Sequence, residues 1–93
     1  MNATQEVKTF TVDGYEFIES NRRMKYNPDI HYNHRKPFTT KELAYICFFY
    51  EDMNKADMSV SLGRTHGTIL AKAHELRQSG EFDYYKSLGR KML

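Results

Sequence analysis

The sequence predicts a small, mainly α-helical protein: a three-helix, helix-turn-helix domain preceded by an N-terminal extension with a short β-hairpin. Three observations predict this fold class: helical periodicity after Pro37, residues that favour helix N-caps, and an alternating strand pattern near the N-terminus. The chain of 93 residues has the length of one domain with a small core. We therefore divide it into an N-terminal extension, residues 1–36, and a helix-turn-helix domain with a C-terminal tail, residues 37–93.

The N-terminal extension begins with the pattern of a β-hairpin. Residues 7–12 alternate apolar and polar side chains and are rich in β-branched residues, which favours a strand. Asp13-Gly14 is a turn sequence, and residues 15–18 supply the returning strand. Because an isolated hairpin is marginally stable in water, it must pack on the helical unit or be partly flexible. Residues 19–36 have few aliphatic side chains, so we expect irregular structure there.

The first predicted helix begins at a capping box. The Thr39 hydroxyl can accept from the backbone N–H of Glu42, whose carboxylate can reach back to the N-cap backbone. Apolar residues then recur at i, i+3, i+4 and i+7, which predicts a helix over about 40–53. Cys47 belongs to this apolar face, so we interpret it as a buried structural cysteine rather than a nucleophile.

Two further helices are predicted on either side of a tight turn. Asn54 is the N-cap of a helix over about 55–62, and Thr65 is the N-cap of a helix over about 66–79. Gly63 lies between them and tolerates the positive φ that a sharp turn requires. This arrangement is the sequence form of a helix-turn-helix, whose second helix can enter a DNA major groove.

The core is predicted from the apolar positions that share one face of each helix. These positions are Leu43, Ile46, Tyr50, Met58, Leu62, Ile69, Ala73 and Leu76. Beyond Gly80, which stops the third helix, Phe82, Tyr85 and Leu88 predict a last amphipathic turn or short helix with a frayed end at Gly89.

The region of the turn resembles a known family. Leu62-Gly63-Arg64-Thr65, followed by Ile69, Ala73, Leu76-Arg77 and Gly80, is similar to the pattern of Myb/SANT-like (homeodomain-like) three-helix domains. Pro37-Phe38-Thr39-Thr40-Lys41-Glu42 resembles their opening, with Phe38 where the family usually has tryptophan. The resemblance covers about residues 37–80, roughly half of the chain. It implies double-stranded DNA binding and transcription regulation, as in small phage and bacterial regulators.

The candidate DNA contacts lie on the face of the third helix that points away from the core. At about 100° per residue, Gly67, Ala71 and His74 fall opposite Ile69. Small residues let a helix approach base edges, and polar groups at its margins can reach bases or phosphates. Arg64, beside a helix N-terminus, is predicted to clamp a phosphate. The full candidate set is Arg64, Thr65, His66, Gly67, Thr68, Ala71, Lys72 and His74, with Arg35 and Lys36 from the extension.

Charge alternates along the chain, which has a net charge of +2. Two basic blocks, 22–36 and 64–77, alternate with two acidic blocks, which predicts one positive face or, in the competing interpretation, ordinary solvated charge. The sequence leaves two interpretations of residues 22–26 and the Arg35-Lys36 pair. In one, they form an arm that lies along the phosphate backbone or in a minor groove. In the other, the neighbouring tyrosines pack the extension onto the helices.

Other classes of function find little support in the sequence. One cysteine excludes a disulfide framework and a Cys-rich zinc module, and His31 and His34 have no acidic or cysteine partner nearby. No nucleotide-binding or paired-carboxylate motif is present, and the longest apolar run, residues 43–50, is too short to span a membrane. No signal peptide is visible at the N-terminus. We therefore expect a cytoplasmic protein with no enzymatic activity, cofactor, metal or membrane partner.

A second function remains open from the sequence. The same scaffold can serve as a SANT-like protein-interaction module, an adaptor or inhibitor of host machinery, in which its surface meets a protein partner instead of DNA. The charge of the third-helix surface favours DNA, because Arg64 and Lys72 face only one acidic residue, Glu75. The sequence specifies neither the DNA site nor the oligomeric state.

Overall fold

A computed structural model describes residues 7–92 of the chain. Two antiparallel strands precede four helices, which make up about half of the chain. The strands are β1 (Thr9–Val12) and β2 (Tyr15–Ile18), and the helices are α1 (Thr40–Phe49), α2 (Lys55–Leu62), α3 (His66–Ser79) and α4 (Phe82–Met92). The mainly helical class with an N-terminal hairpin is confirmed, although these residues form four helices rather than three. Residues 1–6, on which the expectation of no signal peptide rests, and Leu93 lie outside the described residues.

The hairpin is closed by the predicted turn and extended by a third segment. Thr9 pairs with Ile18 and Val12 with Tyr15, and Asp13 and Gly14 both have positive φ, as a two-residue turn requires. The backbone of residues 23–25 then pairs with the other edge of β2 through an isolated bridge and two hydrogen bonds. The backbone of residues 23–25 is therefore fixed to the hairpin, so this part of the basic segment does not extend away from the fold.

Helix α1 begins at the predicted capping box. The Glu42 N–H donates to Thr39 Oγ1 over 3.1 Å, and the Thr39 N–H donates to Glu42 Oε1 over 3.1 Å. The helix ends at Phe49, four residues before the predicted end, and the N–H groups of Asp52 and Met53 donate to the Phe49 carbonyl in the turn that follows. The bounds of α2 and α3 match the prediction, since strong caps mark both ends of each.

Helix α4 continues through the position at which fraying is predicted. It extends to Met92 and packs across α1, and Gly89 is buried at the crossing. A Cβ atom on Gly89 would lie 2.7 Å from the Ala44 carbonyl oxygen and 2.6 Å from the Phe48 Cβ. The predicted frayed end is wrong, because this glycine allows two helices to approach closely.

The core joins all four helices. Its buried residues are Ile46, Cys47, Met58, Ile69, Ala73, Leu76 and Phe82. Leu43, Tyr50 and Leu62 are partly buried and pack against this cluster, so the predicted inward faces are confirmed. Cys47 is buried as predicted, and burial raises the pKa of its thiol to about 11, which leaves it protonated and unreactive at neutral pH. No helix within residues 7–92 is both long and apolar enough to cross a membrane.

Candidate nucleic-acid interface

Three residues join α2 to α3 in a tightly determined turn. Gly63 has a φ of 65° and its N–H donates to the Ser59 and Val60 carbonyls at the end of α2. Thr65 begins α3, and its hydroxyl accepts from the Thr68 N–H over 3.3 Å. The ring of Tyr32 lies against the turn, 2.7 Å from where a Cβ on Gly63 would lie. The positive φ therefore favours glycine here, and a Cβ would also displace the exposed Tyr32 ring.

Arg64, predicted to clamp a phosphate, is instead buried, with 1% of its surface exposed. All five of its guanidinium N–H groups have acceptors within the protein. Nε donates to Glu42 Oε2 over 2.6 Å and Nη2 to Glu42 Oε1 over 3.1 Å. The other acceptors are the carbonyls of Asn33, Lys36 and Pro37, and the guanidinium stacks 3.7 Å from the Phe38 ring centroid. The phosphate assignment of Arg64 is wrong, since no donor remains for a ligand.

Glu42 therefore has two roles, in the capping box and in the pair with Arg64. Burial by itself would raise the pKa of this carboxyl. The hydrogen bonds from Arg64 and from the Thr39 N–H, together with the Arg64 charge, outweigh burial and hold the pKa below its usual value. The pair is ionised at neutral pH and fixes the start of α1 against the turn.

The last part of the N-terminal extension is attached to the same turn. The Asn33 N–H donates to the Gly63 carbonyl and Asn33 Nδ2 to the Leu62 carbonyl, each over 2.8 Å. The backbone of Lys36 is held by Arg64, whereas the side chains of Arg35 and Lys36 are exposed. These two predicted phosphate contacts are accessible and are carried on a fixed backbone.

The outward face of α3 has the predicted pattern of exposure. Gly67, Ala71 and His74 are exposed, while Thr65, His66, Thr68 and Lys72 are partly buried along its two margins. Thr68 Oγ1 hydrogen-bonds Thr65 Oγ1 over 2.7 Å. The Lys72 ammonium contacts Glu75 at 2.5 Å and lies 4.9 Å from the Phe38 ring centroid. Lys72 thus faces the Arg64 side of the helix rather than solvent alone.

The opposite margin of α3 faces the hairpin region. Arg23 Nη1 lies 3.9 Å from where a Cβ on Gly67 would lie. Burial lowers the pKa of the His66 imidazole, and the positive charges of Arg23 and Lys55 lower it further. Arg23 and Lys55 are absent from the sequence-predicted site. Their proximity follows from the packing of the hairpin region, for which the local sequence holds no indication beyond the basic composition of residues 22–26.

The histidines His31 and His34 pack around Tyr26. The ring centroids of Tyr26 and His34 are 4.5 Å apart and those of Tyr26 and His31 are 5.9 Å apart. No cluster of three or more metal-ligating side chains occurs in the part of the chain that the structure describes. No protein-family model, curated protein or solved structure matches the chain.

Proposed function

We propose that this chain binds double-stranded DNA through α3 and acts as a transcriptional regulator of the Myb/SANT-like kind. The observation that carries the proposal is the exposed face formed by Gly67, Ala71 and His74, which lies directly after a three-residue turn from α2. Glycine and alanine allow a helix backbone to approach base edges closely, and the imidazole of His74 offers a hydrogen bond.

Basic groups on both sides of this face support the proposal. Arg23 borders the first turn of α3 on the His66 side. Lys55 adds positive charge near His66, although its ammonium donates to the Tyr50 and Met53 carbonyls after α1. On the other side, Arg35 and Lys36 are exposed on the segment that Arg64 holds against the turn. A helix in a major groove has a phosphate strand on each side, so two basic flanks suit this placement.

The strongest test is the replacement Ala71→Glu. We expect the variant to fold with nearly unchanged stability, because Ala71 is exposed and the two residues differ by only about 0.5 kcal/mol in helix propensity. We expect it to lose DNA binding, because the carboxylate adds bulk at the base edges and repels phosphate. The measurement is a thermal melt and a titration with a duplex selected by the wild-type protein from a random library.

The matched control is Gln78→Glu, which adds the same charge to the exposed C-terminal end of α3. The N-terminal turns of such a helix meet the bases, so this variant should retain most of its affinity. If a folded Ala71→Glu protein binds the selected duplex as well as wild type does, α3 does not enter the groove and the proposal is contradicted.

Salt dependence tests the basic flanks. Affinity should fall with salt with a log–log slope of about −0.9 for each phosphate neutralised. Lys36→Ala should make that slope shallower by about one and should weaken binding to all sequences equally. Arg90→Ala, on α4, should leave the slope unchanged.

One observation favours the second function, a protein-interaction module. Val60 and Tyr32 are 52% and 55% exposed and lie beside the turn between α2 and α3. Large apolar side chains on a surface suit a protein partner better than a phosphate backbone. This function takes precedence if the folded wild-type protein selects no duplex and shows no salt-dependent affinity for DNA.

A further inference from the structure

A cleft separates the hairpin region from the beginnings of α2 and α3. Its volume is about 340 Å³, within the ~300–1,000 Å³ of typical ligand pockets. An adjoining cavity of about 260 Å³ leads to Thr65 and Gly67 at the start of α3. Arg23 and His66 line both cavities and therefore lie where the two meet.

The cleft has a positive end. Arg22 and Arg23 line it, and Asp57 is the one carboxylate among the lining residues, so positive charge exceeds negative charge. The first N–H groups of α3, at His66 and Gly67, precede the first intrahelical bond and have no acceptor within the helix. Together with the Arg23 guanidinium they form a set of donors suited to an anion.

A buried histidine also lines the cleft. His31 lines the cleft although only 1% of its surface is exposed. Its Nδ1 accepts from the Asn27 N–H over 2.9 Å, so the neutral ring carries its proton on Nε2. Burial and the neighbouring His34 lower the pKa of His31, which keeps the ring neutral near pH 7. The Nε2–H is then the donor that this ring offers to a bound molecule.

The remaining wall of the cleft is apolar. Phe17 and Met24 line it from the hairpin region, and Ala56 and Val60 line it from α2. An inorganic ion would leave these side chains uncovered, whereas an aromatic or aliphatic group would cover them. The lining therefore matches a molecule with one charged end and one apolar end.

We propose that this cleft binds a small organic anion, a carboxylate or phosphate attached to an apolar group. The anion contacts Arg23 and the start of α3, and the apolar group lies against Phe17, Met24 and Val60. This site borders the exposed α3 face of Gly67, Ala71 and His74 and shares Gly67 and Arg23 with the proposed DNA interface. Its occupancy is measured in the absence of DNA, so the result does not depend on DNA binding.

The test is a titration of isotope-labelled full-length protein with four probes, followed by NMR. Phenyl phosphate and benzoate each have an anionic group and an apolar ring. Inorganic phosphate has only the anionic group, and benzyl alcohol has only the apolar ring. We expect saturable shifts at the Gly67 amide and the His31 ring with at least one of the first two probes. The single-ended probes should bind at least about tenfold more weakly. Saturation by phenyl phosphate alone assigns a phosphate ligand, and saturation by benzoate alone assigns a carboxylate.

Two pairs of variants distinguish binding in the cleft from nonspecific attraction of the anion to the protein surface. Arg23→Gln retains the backbone bonds of residue 23 and should weaken binding about tenfold or more, whereas Arg90→Gln should have no effect. Val60→Trp should obstruct the cleft, whereas Val12→Trp, at a similarly exposed valine in β1, should not. The proposal is overturned if neither double-ended probe saturates below about 10 mM, or if the members of each pair behave alike.

Discussion

The two margins of α3 each have an arginine, and the two arginines differ in burial and in hydrogen bonding. On the turn side, Arg64 is buried and donates all five N–H groups to protein acceptors. On the cleft side, Arg23 is only partly buried and lines two cavities. The turn side is thus a closed hydrogen-bond network that fixes the backbone. The cleft side is an open surface on which the Arg23 guanidinium is available to a ligand.

This difference shows that a basic residue near a helix N-terminus does not by itself indicate a ligand. Arg64 has its carboxylate partner, Glu42, at the start of another helix, and three carbonyls of the segment 33–37 complete its environment. Arg23 has no such set of acceptors at the start of α3. The contrast assigns Arg64 to the architecture and makes Arg23 available for ligand contacts.

The largest expected effect is the loss of the turn network. Arg64→Ala should lower the free energy of unfolding by about 3–5 kcal/mol, because it leaves Glu42 unpaired in a partly buried site. Arg64→Lys should recover only a small part of this loss, since an ammonium cannot make the bidentate pair and the three carbonyl bonds together. Urea denaturation at pH 7 measures both.

Arg23→Ala is the matched comparison for the cleft side. Its cost should be below about 1 kcal/mol, because no buried charge is left unpaired. Equal costs for Arg64→Ala and Arg23→Ala would contradict the distinction between a closed and an open margin.

The elements that the sequence predicts well are those with local causes. The caps Thr39, Asn54 and Thr65 lie where the sequence places them, because each forms its hydrogen bonds within three residues. The sequence does not predict the roles of Gly89 and Arg64, because both depend on distant residues: Gly89 contacts α1, and Arg64 contacts Glu42 and residues 33–37. Periodicity carries no information about such contacts. The exposure of Gly67, Ala71 and His74 was predictable, since it follows from the helical repeat alone.

Two glycines test the same contrast with a smaller effect. Gly63→Ala should cost about 1–3 kcal/mol, because alanine is strained at a φ of 65° and its Cβ would lie 2.7 Å from the Tyr32 ring. Gly67→Ala should instead gain up to about 1 kcal/mol, because its conformation is helical and its nearest neighbour is 3.9 Å away. Thermal melts compare the two. Removal of the Tyr32 ring in a double variant should relieve only part of the Gly63→Ala loss, since the backbone strain remains.

The smallest expected effect is the pH dependence of stability, in which the two margins should begin to lose their contributions at different pH values. On the cleft side, burial lowers the pKa of His66 and His31 from 6.5, so the unfolded chain binds more protons below that value. The contribution of the two neutral histidines to the free energy of unfolding is complete above pH 6.5. It is lost as pH falls through their folded-state pKa values. On the turn side, Glu42 has a pKa lowered from 4.5, so its contribution is lost in a second step below that pH.

Variants at each margin should change one step and leave the other. His66→Gln should reduce the change of unfolding free energy with pH below 6.5 to the part that His31 contributes, and it should leave the Glu42 step intact. Glu42→Gln lowers stability throughout, because it weakens the Arg64 pair, but its own step should disappear while the histidine step remains. Urea denaturation at a series of pH values from about 8 to about 3 gives the slopes, which report the difference in bound protons directly. If Glu42→Gln alters the slope near pH 6 as much as His66→Gln does, the two margins are one coupled network, and Arg23 and Arg64 no longer belong to separate regions of the molecule.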